Sequence, residues 1–282
     1  MSLLVFGKNG QVARELKRLV PDARFLSREE VDLNDLEEIS LVLRYERPEA
    51  VINAAAWTAV DRAEAEEAEA TRVNASAVGV MARVCSEQGL PFVHLSTDYV
   101  FDGRPGAPFT PDDETNPLGA YGRSKLKGEQ AVRAAYGVHA ILRTSWVFSS
   151  TGNNFVKTML RLGAERQSLK VVADQIGGPT PARAIAEACL RIADRLSVDP
   201  QLTGTYHFSG QEDVSWAEFA RAIMAEAGLS CQIEDIPSSA YPTPAHRPLN
   251  SRLDCRSLEV AFGITRPEWR LGVQEVIREL RG

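Results

Sequence analysis

Two patterns alternate through the first half of the chain. Short, almost unbroken apolar runs stand at 3–6 (LLVF), 23–26 (ARFL), 50–55 (AVINAA), 92–96 (FVHLS) and 139–144 (HAILRT). Between them, apolar positions recur with helical period at 11–20, 34–46, 71–88 and 121–135. An apolar run without alternation reads as a strand buried on both faces, and strands that alternate with helices pair in parallel. Right-handed crossovers then wind the chain outward in both directions from the middle of the sheet. After Thr144 the rhythm changes. Helices are predicted at 153–164, 182–195, 215–227 and 271–281, separated by Pro- and Gly-rich loops such as DQIGGPTPA and IPSSAYPTPAHRPLNS. A smaller and less regular lobe on the end of the sheet is expected there. The long loop at 237–252 reads as a linker or a binding loop.

The chemistry gathers where apolar runs stop. The first run leads into FGKNGQVARELKRL. Gly7 permits a tight turn, Gly10 lets backbone approach a pyrophosphate, and Ala13 lets the helix pack close to the sheet. Gln11 and Val12 then open a helix whose free N–H groups and positive dipole face the phosphates. This is a dinucleotide-binding pattern in the required strand–turn–helix context. The second run is followed by LSREEVDLND. Arg28 can pair with a 2′-phosphate, with Asp32 and Leu33 further on, so NADPH is favoured and NADH tolerated. The other reading is a surface arginine at a strand end. The third run ends in NAAAWTAVD, where Ala54 and Ala55 leave room for a cofactor and Thr58 can bond to it; small residues there also serve plain packing. The expected fold is therefore α/β: a Rossmann-like doubly wound parallel sheet with a smaller C-terminal α+β substrate-binding lobe. Residues 1–145, with parts of 165–210, are expected to form the NAD(P)-binding domain, and the remaining parts of 146–282 the lobe.

The fourth run stops at STDYVFDG, which sets Thr97, Asp98 and Tyr99 side by side. Farther on, AYGRSKLKGEQ carries Tyr121 and Lys125, four apart and so on one helix face. A phenol is a weak acid, with a pKa of about 10. A neighbouring lysine cation lowers that value, and Tyr121 can then deliver a proton to a carbonyl oxygen as a hydride reaches the carbon. Lys125 can also hold the ribose hydroxyls of the nicotinamide half. Ligands of doubly wound sheets bind beyond the carboxyl ends of the strands, which is where Thr97 sits. Alternatively, STDY caps a loop through its side chains.

Bulk properties narrow the partners. The 282 residues carry a net charge of −6, so no basic field collects nucleic acid. The acidic run AEAEEAEA at 63–70 reads as a solvated helix face. Cys85, Cys189, Cys231 and Cys255 lie far apart without a Cys-x-x-Cys and read mostly as packing residues. His94, within FVHLS, reads as a core residue rather than a ligand. No basic leader and no stretch of eighteen apolar residues is found, so no signal peptide and no membrane span is expected, and the reducing cytoplasm is the expected home.

The glycine loop, STDYVFDG and YGRSK together resemble the extended short-chain dehydrogenase/reductases. FGKNGQVA, NAAAWTAVD, STDYVFDG, YGRSKLKGE, RTSWVF, GNNFVKTML, DQIGGPT and YPTPAHRPLNSRL resemble the dTDP-4-dehydrorhamnose reductase family in particular, over nearly the whole chain. The resemblance implies reduction of the 4-keto group of dTDP-4-dehydro-β-L-rhamnose by NADPH or NADH. It implies Thr97, Tyr121 and Lys125 as the catalytic trio. The cofactor is assigned Gly7, Asn9, Gly10, Gln11, Val12, Arg28, Asp32, Leu33, Ala54, Ala55, Thr58, Tyr121 and Lys125. The nucleotide sugar is assigned Thr97, Asp98, Tyr99, Trp146 and Asn154. Trp146, read as the end of the fifth strand, can offer a flat face to a sugar. Arg247 in the long loop can clamp a diphosphate through two bonds, or can be a solvated loop residue. Some members of the family form dimers bridged by Mg²⁺ through glutamates. Glu15 matches one such position and is a candidate ligand, but Arg183 stands where another glutamate is expected; the other reading of Glu15 is a surface helix residue, so Mg²⁺ and a homodimer are both left open. Two rival readings remain: another nucleotide-sugar reductase, epimerase or dehydratase, and a non-catalytic, cofactor-binding regulatory subunit such as the homologous partner of methionine adenosyltransferase.

Overall fold

The computed structural model describes residues 2–282. Its strands are β1 (Leu3–Phe6), β2 (Arg24–Leu26), β3 (Ala50–Asn53), β4 (Phe92–Thr97), β5 (His139–Thr144), β6 (Val147–Phe148), β7 (Ser168–Val172), β8 (Ile176–Gly177), β9 (Thr180–Pro181), β10 (Gly204–His207), β11 (Val214–Ser215), β12 (Gln232–Ile236) and β13 (Asn250–Ser251). The helices are α1 (Gln11–Leu19), α2 (Leu36–Glu46), α3 (Val60–Ala63), α4 (Glu67–Thr71), α5 (Ala77–Gln88), α6 (Ala120–Ala134), α7 (Phe155–Glu165), α8 (Ala182–Val198), α9 (Trp216–Ala227), α10 (Arg256–Phe262) and α11 (Trp269–Arg281).

The five apolar runs form one parallel sheet, ordered β2-β1-β3-β4-β5-β10. Winding reverses between β1 and β3, which opens a crevice beyond their carboxyl ends. Both faces are covered, which is why the runs lack alternation. Val12 and Leu16 of α1, with Ile185, Cys189 and Ile192 of α8, pack on Val5, Ile52, Val93 and Leu142. Ile39 and Leu43 of α2, with Val78, Met81 and Cys85 of α5, pack on Leu4, Val51, Phe92 and Ile141. Each such buried side chain contributes about 1.5–3 kcal/mol.

After β5 the chain crosses into a second layer and returns twice, once for α8 with β10 and once for α10. The second layer buries Phe148, Val156, Phe219, Ile223, Trp269 and Val273 among α7, α9 and α11, beside the parallel pair β7–β12. Most of the 237–252 loop is irregular, and it ends by pairing β13 with β8. The sixth sheet strand, β10, was not predicted. Its GTYH sequence is short, half-buried at its first two positions and at the sheet edge.

The acidic run is not simply a solvated face. It spans α3 and α4, whose Ala63 and Ala70 are buried against Ala120. Glu64 Oε1 accepts the Ala120 amide at 2.8 Å, and Glu67 takes two bonds from Arg123, at 2.9 and 2.7 Å. Glu64 thus caps the N-terminal turn of α6, where orphan N–H groups and the helix dipole favour a carboxylate, and Glu67 ties the same turn down through the Arg123 side chain. Between α4 and α5 lies a π-helical turn, Arg72–Ser76. It aims Asn74 at both the Trp57 backbone (2.8 and 3.1 Å) and Ser124 Oγ of α6 (2.9 Å). All four cysteines are free and buried. Among the described residues, no helix is long and apolar enough to cross a membrane.

Candidate active site

The glycine loop rides directly on the end of β3. Gly7 has φ +105°, and a Cβ there would lie 3.2 Å from the carbonyl carbon and oxygen of Ala54 and from the Ala55 nitrogen. Only glycine accepts both that conformation and that approach. Gly10 N-caps α1 in an extended conformation without a side-chain cap, so the first-turn N–H groups stay available to an anion. Val12 and Ala13 are buried against the sheet. These features fit a dinucleotide pyrophosphate. Asn9 is exposed in the turn, and Thr58 is exposed beside α3.

At the end of β2, Arg28 is exposed and makes no ion pair among the described residues. Asp32 accepts the Asn34 amide at 3.0 Å; that bond, the Asn34 side chain and the charges of Arg28 and Arg72 hold its carboxyl below the usual range. Leu33 is half-buried beneath it. Sequence reasoning passed over Lys8 of the glycine loop, whose Nζ reaches Glu30 at the same strand end at 3.2 Å.

Gln11 and Asn154 are tied to one another rather than to open space. Gln11 Oε1 accepts Asn154 Nδ2 at 2.9 Å and Ser149 Oγ at 3.0 Å. Asn154 was expected against the sugar. Instead its Oδ1 caps α7 by accepting the Lys157 amide at 3.1 Å, and its Nδ2 also donates to the Ser149 carbonyl at 2.7 Å. Asparagine is among the best N-caps, and this one is spent on joining the second layer to the glycine loop.

The reactive residues converge where β4 ends. Thr97 starts a tight turn, accepting the Tyr99 amide at 3.2 Å and donating to Asp98 Oδ1 at 3.1 Å. Helix α6 presses on this turn: a Cβ on Gly122 would lie 2.2 Å from the Tyr99 carbonyl oxygen. Tyr121 meets Tyr99 edge to face at 5.6 Å and 74°. Burial raises the pKa of the Tyr121 phenol, and a hydrogen bond with the Thr97 hydroxyl partly offsets this. Asp98 is buried, and desolvation pushes its carboxyl up to about 6 against the pull of the Ser251 and Thr97 hydroxyls. Thr144, the register partner of Thr97 on β5, is a residue the sequence did not single out. Its buried Oγ1 makes no hydrogen bond to another protein group.

Lys125 corrects one expectation. Its Nζ is buried, donates to the Leu95 carbonyl at 2.6 Å and lies 3.4 Å from His94 Nε2. Burial lowers its pKa to about 8, with Glu129 opposing. The phenol was expected to be acidified by this cation; desolvation moves it the other way. A phenol kept protonated is the form a general acid needs.

The fifth strand stops at Thr144, two residues short of Trp146. Trp146 sits at φ +49°, a left-handed conformation costing a non-glycine residue roughly 1–2 kcal/mol. It is held by a stack on Trp216, with centroids 3.6 Å apart and planes 12° apart. Gly177 leaves it room, since a Cβ there would be 2.8 Å from the indole. Trp216 and Phe155 line a cleft of about 1390 Å³ between the layers, with Tyr99, Asp61, Tyr241 and Arg247. Sequence reasoning missed Trp216, although SWAE marks it as the first helical residue, inside the capping box of Ser215 and Glu218. Arg247 Nη2 donates to Asp61 Oδ2 at 2.7 Å, and its Nη1 lies 3.4 Å from the Tyr99 hydroxyl. Asp61 Oδ1 also accepts the Ala245 amide at 3.2 Å, which fastens the long loop across the cleft mouth.

Glu15 is buried, not a surface residue, and bonds Arg18 at 3.1 Å; Arg18 also bonds Glu279 at 2.9 Å. Burial raises the Glu15 pKa, while the charges of Arg18 and Arg183 oppose it. Two guanidinium groups thus neutralise this cluster, which does not fit Mg²⁺. Among the described residues no group of three or more His, Cys, Asp and Glu could hold a metal ion.

Residues 1–281 match the family described as the RmlD substrate binding domain. A dTDP-4-dehydrorhamnose reductase of Burkholderia thailandensis is 45% identical, over 99% of this chain and 99% of its own length. The crystal structure of a dTDP-4-dehydrorhamnose reductase from Clostridium acetobutylicum superposes with a TM-score of 0.93 at 35% identity, covering 100% of both chains. That of the Bacillus anthracis enzyme, solved in complex with NADP, gives 0.91 at 32% identity, covering 99% of this chain and 100% of the other.

Proposed function

The chain belongs to the dTDP-4-dehydrorhamnose reductase family, and from that membership we propose that it reduces the 4-keto group of dTDP-4-dehydro-β-L-rhamnose with NADPH, giving dTDP-L-rhamnose. The observation that carries the reading is the hydrogen bond between Thr97 and Tyr121 at the carboxyl end of β4, with Lys125 one turn farther along the same helix and bonded to the same strand. When bound, NADPH supplies the hydride. Tyr121 donates its phenolic proton to the carbonyl oxygen, and Thr97 bonds that same oxygen. The C4=O double bond becomes a C4–H bond and an alcohol. Desolvation of the phenol supports this role, because it keeps the proton in place until the oxygen gains charge. Lys125 serves the ribose hydroxyls.

Gly7, Gly10 and the first turn of α1 would hold the pyrophosphate, and Ala54 and Ala55 would leave room for the nucleotide. Arg28, exposed and free of an ion pair among the described residues, supports NADPH over NADH. Trp146, stacked on Trp216, offers an aromatic platform to the sugar, and Arg247 holds the diphosphate. The reading puts the reaction in the reducing cytoplasm, in line with four free, buried cysteines. Any homodimer forms without bridging Mg²⁺, since Arg18 and Arg183 already neutralise Glu15.

The test is NADPH oxidation, followed by absorbance, with the keto sugar generated in situ from dTDP-glucose by a dehydratase and an epimerase. NADPH consumption with dTDP-rhamnose formed supports the reading. Bound NADPH without turnover would contradict it.

A further inference from the structure

His94 is fully buried in β4, three residues before Thr97, and the chemistry above does not use it. Both of its ring nitrogens are engaged. Asn53 Nδ2 on β3 lies 3.1 Å from Nδ1, and Lys125 Nζ on α6 lies 3.4 Å from Nε2. The chain has an anchor whose polarity cannot reverse: the Ala55 backbone N–H donates to Asn53 Oδ1 at 3.1 Å. With its oxygen taken, Asn53 turns its amide nitrogen to His94, where it can only donate. Nδ1 is then the acceptor, and the neutral ring carries its proton on Nε2. That N–H faces Lys125. An ammonium has no lone pair to receive it, whereas an amine has one. One of the two hydrogens that the amine keeps goes to the Leu95 carbonyl at 2.6 Å.

We infer that His94 is a positioning residue for the reductase: locked in its Nε2–H tautomer by Asn53, it favours the amine over the ammonium form of Lys125 and so sets the pH at which that lysine carries charge. Beyond burial itself, the charged groups around Lys125 are spent on one another. On α6 itself, Glu129 favours the ammonium form, but its carboxylate is bound by Ser96 of β4 at 2.6 Å and by Arg143 of β5 at 2.9 and 2.7 Å, with Arg133 beyond. Among the described residues no carboxylate pairs with Nζ. His139 of β5 adds a small charge effect on His94, and Tyr121, one turn away, is neutral. Burial holds His94 well below the usual histidine pKa and Lys125 at about 8.

What Lys125 does in turnover rests on the reductase reading, but the proton arrangement does not, so two measurements separate them. In the first, enzyme labelled with ¹⁵N-histidine has only four such residues to resolve. His94 is expected to stay neutral and Nε2-protonated from about pH 6 to 9, and its signal is expected to shift with the titration of Lys125, a response lost in Lys125→Met. An Nδ1-protonated or charged ring, or a signal indifferent to Lys125, overturns the inference whether or not the enzyme turns over the sugar. In the second, His94→Gln replaces the fixed N–H by an amide that can turn its carbonyl to Nζ. The alkaline limb of kcat/KM is expected to move up by about one pH unit. A uniform loss of rate with an unmoved limb would make His94 a packing residue and overturn the inference.

Discussion

Arg247 and Asp61, 186 residues apart in the chain, meet at 2.7 Å across the mouth of the cleft. The carboxylate orients the guanidinium, and the Ala245 amide on the same carboxylate pins the loop that carries it. A charge-assisted bond to a diphosphate is worth about 1.5–3 kcal/mol. Arg247→Ala should therefore raise KM for the nucleotide sugar by roughly 10- to 100-fold and leave kcat within about threefold. Steady-state kinetics with saturating NADPH checks this, and an unchanged KM would return Arg247 to the status of a loop residue.

The proposed preference for NADPH rests on Arg28. Arg28→Ala should weaken NADPH binding by at least about tenfold and leave NADH binding nearly unchanged. Titrating each cofactor against both proteins decides it, and equal losses would mean that Arg28 does not read the 2′-phosphate.

Asp98 makes stability depend on pH. Its folded pKa of about 6 lies above the usual 3.8. Between these values the unfolded chain releases the proton while the folded chain keeps it. The folded state is therefore favoured most below 3.8, and it loses that advantage as pH rises through 6. Above 6 the full cost stands, on the order of 3 kcal/mol. Asp98→Asn should stabilise the fold more at pH 7.5 than at pH 4, as read by denaturant unfolding at both values. An equal effect at the two pH values would contradict it.

The helix that carries Tyr121 and Lys125 is fastened at its middle by a buried pair. Glu129 accepts from Nε and Nη2 of Arg143, with neither side chain more than 2% exposed. Removing one partner of such a pair costs about 3–5 kcal/mol, because the other charge stays buried. Glu129→Ala should lose that much stability in urea unfolding. A loss below about 1 kcal/mol would mean that the site relaxes or hydrates.

Much of this was legible in the sequence because its signals are local. Five strands declared themselves by continuous apolar runs, and Gly7, Gly10, Thr97, Tyr121 and Lys125 lie next to strand ends or one helical turn apart. What stayed hidden depends on distance along the chain. Nothing near Asp61 points to Arg247, and nothing near Glu64 points to the Ala120 amide that it caps. The edge strand β10 has no period of its own and is held by its register with β5. Asn154 misled because an N-cap and a sugar ligand call for the same residue type, and only its bond to Gln11 separates them. Lys125 misled because spacing puts it on the Tyr121 face of the helix without saying that its Nζ turns to the Leu95 carbonyl.

The central claim is hydride delivery to C4 of the sugar with Tyr121 as the acid. The most direct measurement is a reaction with NADPH carrying deuterium at nicotinamide C4, run with the wild-type protein and with Tyr121→Phe, with the product read by NMR. The account predicts deuterium at C4 of the rhamnose ring, and turnover reduced by roughly 10²–10⁴-fold in the variant while it still binds NADPH. Deuterium at another carbon, or undiminished turnover without the phenol, would contradict it.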